Sequence, residues 1–397
     1  MTDLATRPAP PSLRRAAPAL LGYAAVRALG LVALAGWSAA RDKSALTLLS
    51  ARWDSLWYTR VAELGYGYEV RLPNGDVHSN LAFFPLLPWL ERAVSAVTPL
   101  SPAHSGLAVS TLASLAAAWG IFAVADRVYG GRAGVCAVLL WAVLPVGIVQ
   151  SMAYTESLFT ALAAWSLYAV LTGRWVTAGA LAALAGLTRP VGLAVVAALW
   201  AAAIGSYVRE RRPASPPSSE RNRSTEAPHG ARPWSRALGM FLAPLGALGY
   251  VLWVGRRTGG GPLGYLDVQA GWRNGFDGGY AFARFVTGRF TSFPSALAGV
   301  GLIIGVTLII WLYVVCVRQG QPLPLLVYAG VVTALALCAS SYFGSKPRLL
   351  MPAFPLLLPL ARALARTRVP RSAAIVGAAG VVSALYGAFW LNGSGPP

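Results

Sequence analysis

The chain has 397 residues, of which 56% are hydrophobic and only 12% are charged, and its mean hydropathy is +0.56. A soluble domain usually carries about 25% charged residues, so this composition excludes an ordinary soluble enzyme, a disordered chain and a fibrous protein. The 33 basic residues outnumber the 14 acidic ones, for a net charge of +19. In a membrane protein, such an excess is typical of cytoplasmic loops rather than of nucleic-acid binding.

Apolar stretches of membrane-spanning length recur along the chain and predict an all-α polytopic membrane protein. A β-barrel is disfavoured because these stretches are continuous rather than alternating. We treat residues 1–397 as a single membrane-embedded domain with a cytoplasmic N-terminus, because most short loops then follow the expected Lys/Arg bias. We predict about 11 crossings, at residues 16–39, 104–125, 133–152, 156–172, 175–188, 190–208, 235–254, 296–317, 323–342, 349–365 and 372–391.

Three segments between these crossings stand out. Residues 209–234 are polar and rich in proline and serine, which predicts a flexible cytoplasmic linker. Residues 40–103 and 255–295 form two long outer loops, and loops of this length are usually functional or disordered. The first loop contains R-W-D-S-L-W-Y-T-R-V-A-E-L-G-Y at residues 52–66. Its apolar residues recur at helical spacing and predict an amphipathic helix in the membrane interface.

The same loop continues with N-L-A-F-F-P-L-L-P-W-L at residues 80–90, where two prolines stand three residues apart. Polar ends and internal prolines argue against a simple crossing. Residues 81–98 are therefore either a re-entrant segment that lines a cavity or an ordinary kinked helix that spans the membrane.

Acidic residues are scarce, which makes their positions informative. Asp54 follows the first crossing, where a lipid-borne substrate would meet the protein, and a carboxylate against apolar surface can act as a general base. The alternative is a helix cap or an ion pair with Arg52. Tyr154 and Glu156 begin the fourth crossing, where the helix dipole favours an acid; Glu156 could also face an outer cavity.

Three cations occupy positions that call for an anionic partner. Arg189 precedes Pro190 at a predicted helix break, and Lys346 and Arg348 begin the tenth crossing. A helix N-terminus disfavours cations, so a phosphate is a natural partner, although snorkelling to lipid headgroups is an alternative. The three cysteines are isolated within apolar runs, and no metal-binding motif is present. We therefore predict no cofactor, with a divalent metal as a disfavoured alternative.

Read in order, these motifs resemble the PIG-V family, the second mannosyltransferase of GPI-anchor assembly, in a bacterial version. The resemblance covers about residues 50 to 360. It implies a GT-C type fold, an active site on the outer face and a polyprenyl-phosphate donor with mannose as the sugar. The matching segments are R-W-D-S-L-W-Y-T-R-V-A-E-L-G-Y (52–66), N-L-A-F-F-P-L-L-P (80–88), Y-T-E-S-L-F (154–159), L-T-R-P-V-G-L (187–193) and K-P-R-L-L-M-P (346–352).

Carried over residue by residue, the resemblance implies that Asp54 is the catalytic base. The sequence departs from the family in an insertion, E-V-R-L-P-N-G-D-V-H-S, before Asn80, and in Pro190, where the eukaryotic pattern usually has serine. Both departures leave the acceptor open, as a lipid or a glycan. The motifs and the cation argument together give the following substrate-binding candidates: Arg52, Trp53, Asn80, Phe83, Phe84, Tyr154, Glu156, Arg189, Lys346 and Arg348.

The predicted function is transfer of a mannosyl residue from a polyprenyl-phosphate sugar to an acceptor hydroxyl, with inversion, on the outer face of a bacterial plasma membrane. Asp54 would take the hydroxyl proton. The leaving phosphate would be neutralised by Arg189, Lys346 and Arg348. Phe83 and Phe84 would form the mouth of a groove for the prenyl tail.

The alternative function is a lipid-linked sugar flippase or transporter, which would use the same basic cavity without breaking a bond. It is disfavoured because the predicted crossings hold almost no charged residues apart from Arg27 and the terminal positions. A nonenzymatic membrane scaffold would leave the outer set of acids and cations unexplained.

Overall fold

The computed structural model describes residues 13–211, 233–393 and 395, so most of the predicted linker at 209–234 lies outside the described residues. The described chain is overwhelmingly helical, and the predicted all-α polytopic fold is confirmed. In chain order, the helices are α1 (Leu13–Ala39), α2 (Ala45–Ser50), α3 (Asp54–Leu64), α4 (Leu86–Val97), α5 (Pro102–Tyr129), α6 (Gly131–Ala142), α7 (Thr155–Leu171), α8 (Trp175–Gly186), α9 (Leu193–Arg211), α10 (Pro233–Leu242), α11 (Leu245–Thr258), α12 (Gly264–Gly271), α13 (Tyr280–Thr287), α14 (Phe293–Arg318), α15 (Leu323–Cys338), α16 (Lys346–Leu350), α17 (Leu358–Ala365) and α18 (Val369–Leu391).

Helices at all the predicted crossings are present, but they differ in length. A segment formed by Phe343–Leu350 and Phe354–Ala365 is bent by 72°, and α6, α7, α8 and α15 are shorter apolar helices. A helix of 12 residues, such as α6 or α8, rises only about 18 Å, less than a hydrocarbon core of about 30 Å. The segments that are long and apolar enough to cross a membrane by themselves are Leu13–Ala39, Pro102–Tyr129, Pro190–Arg211, Pro233–Thr258, Phe293–Arg318 and Val369–Leu391.

Small residues allow the helices to approach closely. A side chain at Gly239 on α10 would place its Cβ 2.3 Å from the Trp175 carbonyl oxygen on α8. A Cβ at Gly120 on α5 would come within 2.9 Å of the Ala164 methyl on α7. In a membrane, helix association depends on such close packing because lipid tails are as apolar as the side chains.

Arg27 is buried inside α1 and has a structural role. Its guanidinium donates hydrogen bonds to the carbonyls of Ala142 and Gly147. These carbonyls flank the break where α6 ends and a 3₁₀ turn at Gly147–Ser151 begins. Carbonyls at a helix C-terminus are a favourable environment for a cation. Arg27 therefore fixes the segment that leads to α7.

The first long loop, residues 40–103, folds into short elements. Strand β1 (Glu69–Arg71) pairs antiparallel with β2 (Val77–Ser79), and a 3₁₀ turn at Asn80–Ala82 leads into α4. At 12 residues, α4 is not among the helices long enough to span. Residues 81–98 thus form a short helix in the loop that packs against α3 and α5.

Helix α3 is half-buried. Of the apolar positions predicted to recur at helical spacing, Trp53, Leu56, Trp57, Val61 and Leu64, only Val61 is buried. It buries Tyr58, Val61 and Ala62 against the protein, whereas Leu56 and Leu64 are exposed. The predicted helix begins only at Asp54, because Trp53 adopts a non-helical conformation. The exposed leucines are suited to contact with lipid.

The two loops predicted to be on the outer side, 40–103 and 255–295, pack together. Strand β3 (Gly275–Phe276) from the second loop pairs with β4 (Ala339–Ser340), and the Trp272 indole donates to the Ser79 carbonyl at 3.0 Å. Neither pair of strands was predicted, since two or three residues carry no readable alternation. We call the end of the bundle that carries residues 40–101 and 259–292 the loop end.

Candidate active site

Four charged residues from four separate segments meet at the loop end, and we call them the charge cluster: Asp54, Glu156, Arg189 and Arg348. Arg348 Nη2 lies 2.6 Å from Asp54 Oδ2, and Arg348 Nη1 lies 3.7 Å from Glu156 Oε1. Arg189 Nη1 lies 2.7 Å from the same Glu156 oxygen. Acids and cations therefore alternate along the cluster, and the structure brings together four of the residues singled out from the sequence.

Exposure differs sharply within the charge cluster. The side chain of Glu156 is 2% exposed and that of Arg348 is 10% exposed, whereas that of Asp54 is 29% exposed. Buried charges are tolerated when they are paired, so Glu156 is the inner counterion for both arginines. Of the two carboxylates, Asp54 is the one an incoming molecule can reach more easily.

The turn before α3 fixes the direction of Asp54. Trp53 has φ +55° and ψ −123°, a conformation that bulky residues rarely adopt. The turn is held by Ser55, whose hydroxyl donates to the Arg52 carbonyl at 2.6 Å and accepts from the Arg52 amide at 2.9 Å. Asp54 is the first residue of α3, where the helix dipole favours a carboxylate. The strained residue thus directly precedes Asp54, the predicted base.

Tyr154 and Glu156 lie where α7 meets this turn. Tyr154 is the N-cap residue of α7 and is buried, and its hydroxyl accepts a hydrogen bond from the Asp54 amide at 3.4 Å. Glu156 follows in the first turn of α7. Tyr154 therefore connects the turn before α3 to the start of α7, which carries Glu156.

Arg189 owes its position to a helix break. Helix α8 ends at Gly186, and Arg189 is extended, with φ −165° and ψ 156°, immediately before Pro190. Proline cannot continue the ladder of helical hydrogen bonds and disfavours helical backbone in the residue before it. The break directs Arg189 to Glu156, as the position before proline suggested.

Arg348 has hydrogen-bonding capacity left over. Within the described part of the chain, its Nε and Nη1 atoms are buried and have no hydrogen-bond partner. An unsatisfied buried donor costs about 1–3 kcal/mol, and more when it is charged. An anion that accepts a hydrogen bond from one of these atoms would remove part of that cost, and phosphate is a common partner of arginine.

Lys346 lies apart from the charge cluster. Its ammonium donates to the carbonyls of Ala336 and Ala339, both at 2.8 Å, at the C-terminal end of α15. It also lies 4.9 Å from the centre of the Phe282 ring. The N–H groups of Lys346 are thus used within the protein, and its predicted role as a phosphate ligand is not supported by these contacts.

Arg52 also points elsewhere. Its guanidinium lies 4.0 Å from the centre of the Trp53 ring and donates to the carbonyls of Leu391 and Gly393 at 3.3 and 3.2 Å. The alternative ion pair between Arg52 and Asp54 is not formed, because Arg348 takes that place.

Asn80, Phe83 and Phe84 have three different environments. Asn80 is buried, and its amide bridges the Gly65 carbonyl and the Gly67 amide, both at 3.0 Å. Phe84 is buried in an aromatic cluster, whereas Phe83 is partly exposed. Asn80 and Phe84 thus shape the loop from within, and Phe83 is the one of the three that reaches the surface.

Tyr58 was not predicted as part of the site. Its hydroxyl shares a hydrogen bond of 3.1 Å with the Thr155 hydroxyl and so joins α3 to the start of α7. Burial and the nearby Asp54 carboxylate raise the pKa of Tyr58 above its ordinary value, which keeps it neutral. Its place in the Asp-x-x-x-Tyr spacing of α3, one helical turn from Asp54, was a signal available in the sequence.

The described residues contain no group of three or more His, Cys, Asp or Glu side chains that could hold a metal ion. Both carboxylates of the charge cluster face arginines. The chemistry that the cluster itself can perform is proton transfer at Asp54 and neutralisation of an anion at Arg348 and Arg189.

Comparison with known proteins agrees with this architecture. A family model described as dolichyl-phosphate-mannose-protein mannosyltransferase matches residues 81–216, a range that includes Glu156 and Arg189. A search of curated protein sequences found no match.

Among solved structures, the fold is similar to the crystal structure of ArnT from Cupriavidus metallidurans bound to undecaprenyl phosphate. The identity is 16% and the TM-score 0.52, over 90% of this chain and 61% of that chain. The apo structure of the same protein matches at 18% identity and a TM-score of 0.48, over 80% of this chain and 55% of that chain. The chain thus spans about three fifths of the ArnT structure bound to lipid.

These findings define the class of protein. The chain is an integral membrane protein with the GT-C type fold that the sequence motifs implied. Its similarity to the mannosyltransferase family model covers the middle of the chain, from α4 to just beyond α9.

Proposed function

We propose that this protein is a glycosyltransferase that moves a mannosyl residue from a polyprenyl-phosphate donor to an acceptor hydroxyl on the outer face of a bacterial plasma membrane. The observation that carries the proposal is the contact of Arg348 with Asp54 at 2.6 Å, combined with the Nε of the same guanidinium, which has no hydrogen-bond partner among the described residues. One cation is thus positioned between a base and the place for an anion.

The reaction is a single displacement. Asp54 takes the proton of the acceptor hydroxyl as that oxygen forms a bond to the anomeric carbon. The bond between the anomeric carbon and the phosphate oxygen breaks, and its electron pair leaves with the lipid phosphate. Attack opposite to the leaving group inverts the anomeric configuration.

The leaving phosphate gains negative charge as the bond breaks. A phosphate oxygen can accept a hydrogen bond from Arg348 Nε while Nη2 stays paired with Asp54. Arg189, held by Glu156 at 2.7 Å, adds positive charge nearby. Preorganised charges of this kind stabilise the transition state because they need no rearrangement during the reaction.

Two comparisons support the donor class. The matching family model carries the description of a dolichyl-phosphate-mannose-dependent enzyme, and the similar ArnT structure holds undecaprenyl phosphate. Both names refer to a polyprenyl phosphate. The choice of mannose, and the more specific likeness to PIG-V, rest on the motifs at residues 52–66, 80–88 and 154–159.

The test is transfer of labelled mannose from polyprenyl-phosphate mannose to a membrane lipid extract and to soluble glycans, by purified protein in nanodiscs. Asp54→Asn removes the base and keeps the shape of the side chain, and we expect the rate to fall by about 10²–10⁴-fold. Asp42→Asn is the matched control, because Asp42 is an exposed acid of the same loop outside the charge cluster.

Normal transfer by the Asp54→Asn variant would show that Asp54 is not the base. Movement of the intact donor across the bilayer without any transfer would instead favour the flippase.

A further inference from the structure

Beside the charge cluster, five aromatic side chains form a continuous surface that we call the aromatic platform: Trp57, Tyr68, His78, Phe83 and Trp272. The Trp57 and Phe83 rings are stacked 5.6 Å apart with only 4° between their planes. The Trp272 ring meets Trp57 edge-on at 4.8 Å, and His78 is stacked on Trp272 at 4.0 Å. All five side chains are partly exposed.

Contacts between the two outer loops hold the aromatic platform in place. The Trp272 indole donates to the Ser79 carbonyl at 3.0 Å, and Arg273 Nε lies 2.6 Å from Asp76 Oδ2. The hairpin formed by β1 and β2 supplies His78, and it corresponds to the insertion at which the sequence departs from the PIG-V pattern. The insertion thus contributes one of the five rings of the platform.

Polar groups accompany the aromatic faces. Within the described residues, the Trp57 indole N–H, the Tyr68 hydroxyl and the ring nitrogens of His78 have no hydrogen-bond partner. The Arg60 guanidinium lies 4.1 Å from the centre of the Tyr68 ring and makes no ion pair within that same part of the chain. The partly exposed rings therefore offer apolar surface together with free hydrogen-bonding groups.

The aromatic platform begins next to the proposed base. Trp57 is three residues after Asp54 on α3, so their Cβ atoms are about 5–6 Å apart on one face of the helix. Phe83 also meets Tyr58 edge-on at 5.2 Å, and Tyr58 reaches the start of α7 through Thr155. A molecule in contact with Trp57 would therefore lie near Asp54.

We infer that the aromatic platform binds the acceptor and that the acceptor is a saccharide. A sugar ring has an apolar face of C–H groups that suits an aromatic ring, and hydroxyls at its edge that suit the free polar groups. A hydrocarbon chain would make no hydrogen bonds with those groups. The role of the bound sugar as acceptor rests on the proposed function. Binding of a sugar to the platform does not, and it can be measured without any transfer.

The test is saturation-transfer NMR on the protein in nanodiscs, with methyl α-mannoside and, as a non-sugar headgroup probe, glycerol 3-phosphate. We expect saturation of the mannoside ring protons in the wild type, a decrease of at least fivefold in Trp272→Leu, and a smaller decrease in His78→Ala. Trp89→Leu is the matched control, since Trp89 is 54% exposed on α4 and lies outside the platform.

Trp272→Phe separates stacking from folding, because it keeps a ring but loses the hydrogen bond to Ser79. We expect it to bind within about twofold of the wild type. An equal loss in Trp272→Phe and Trp272→Leu would overturn the inference, as would equal binding in the wild type and Trp272→Leu, or saturation of glycerol 3-phosphate alone.

Kinetics distinguish this inference from the proposed function. If transfer occurs and His78→Ala leaves the acceptor KM unchanged, the platform is not the acceptor site, although the protein is still a transferase. If sugar binding depends on Trp272 but no transfer takes place, the platform stands as a saccharide site and the proposed reaction is wrong.

Discussion

The guanidinium of Arg348 lies 2.6 Å from the carboxylate of Asp54 and 3.7 Å from that of Glu156, so one side chain connects the outer and the inner acid of the site. Asp54 is partly exposed, whereas Glu156 is buried with two arginines. This relationship assigns different tasks to two acids that look alike in the sequence: Asp54 can meet a substrate, and Glu156 sets the positions of the cations.

Glu156→Gln should destabilise the protein strongly, because it leaves the buried side chains of Arg189 and Arg348 without their shared counterion. Removal of one partner of a buried ion pair costs about 3–5 kcal/mol. The measurement is thermal unfolding in detergent. The double variant Glu156→Gln/Arg189→Met should recover part of the loss. Glu210→Gln is the control: Glu210 pairs with Arg236 but is 51% exposed, and we expect little change.

Lys346→Met should lower thermal stability and leave the donor KM within about twofold of the wild-type value. The reason is that the ammonium of Lys346 satisfies carbonyls at the end of α15 and does not reach the charge cluster. Arg348→Gln, by contrast, should raise the donor KM and lower the rate. A raised donor KM in a normally stable Lys346→Met protein would show that Lys346 binds the phosphate after all.

The stability of the protein should fall as the pH rises from about 4.5 to about 9, through Glu91. This carboxyl is fully buried on α4, and burial, together with the nearby Glu63 charge, raises its pKa from 4.5 to about 9. Because the folded state binds a proton in this window that the unfolded state has released, each increase in pH favours unfolding.

Glu91→Gln should remove this slope and make the protein more stable at pH 8–9 than the wild type. The check is the unfolding temperature between pH 6 and 9. Glu63→Gln, which removes only the neighbouring charge, should weaken the slope and not abolish it. Parallel wild-type and Glu91→Gln profiles would contradict the assignment.

Trp53→Gly should be more stable than Trp53→Ala by about 1 kcal/mol, although both variants lose the indole ring. The positive φ of Trp53 strains any residue with a Cβ, and glycine adopts it without that cost. Unfolding of the two variants side by side measures the difference. An alanine variant at least as stable as the glycine variant would mean that the turn is not strained.

The sequence placed the helices well, because membrane-spanning segments are encoded locally. An apolar stretch of about 20 residues must become a helix in a bilayer, where every backbone group needs an internal partner. The break at Arg189 was likewise local, since proline dictates it. The likeness to a family supplied the GT-C type fold, which single-residue reasoning could not have chosen among helical bundles.

The partners of the charged side chains could not be predicted from local sequence. The sequence marked Asp54, Glu156, Arg189, Lys346 and Arg348 as chemically unusual, yet it could not tell that Lys346 turns to the end of α15 while Arg348 turns to Asp54. Two residues apart on one short helix, they point in different directions, and the packing of distant segments decides what each one meets.

The aromatic platform also combines a residue that the sequence indicated with contacts that only the structure shows. Trp57 was visible in a helical motif, but Trp272 meets it from a distant segment of the chain. The hairpin whose Ser79 carbonyl holds Trp272 is too short to be recognised by its pattern. By itself, the sequence determined a membrane protein with a set of scarce acids and cations at helix ends, because hydrophobicity and proline act over a few residues. Only the tertiary structure decided which of them share a site, since ion pairs and ring contacts form between segments far apart in the chain.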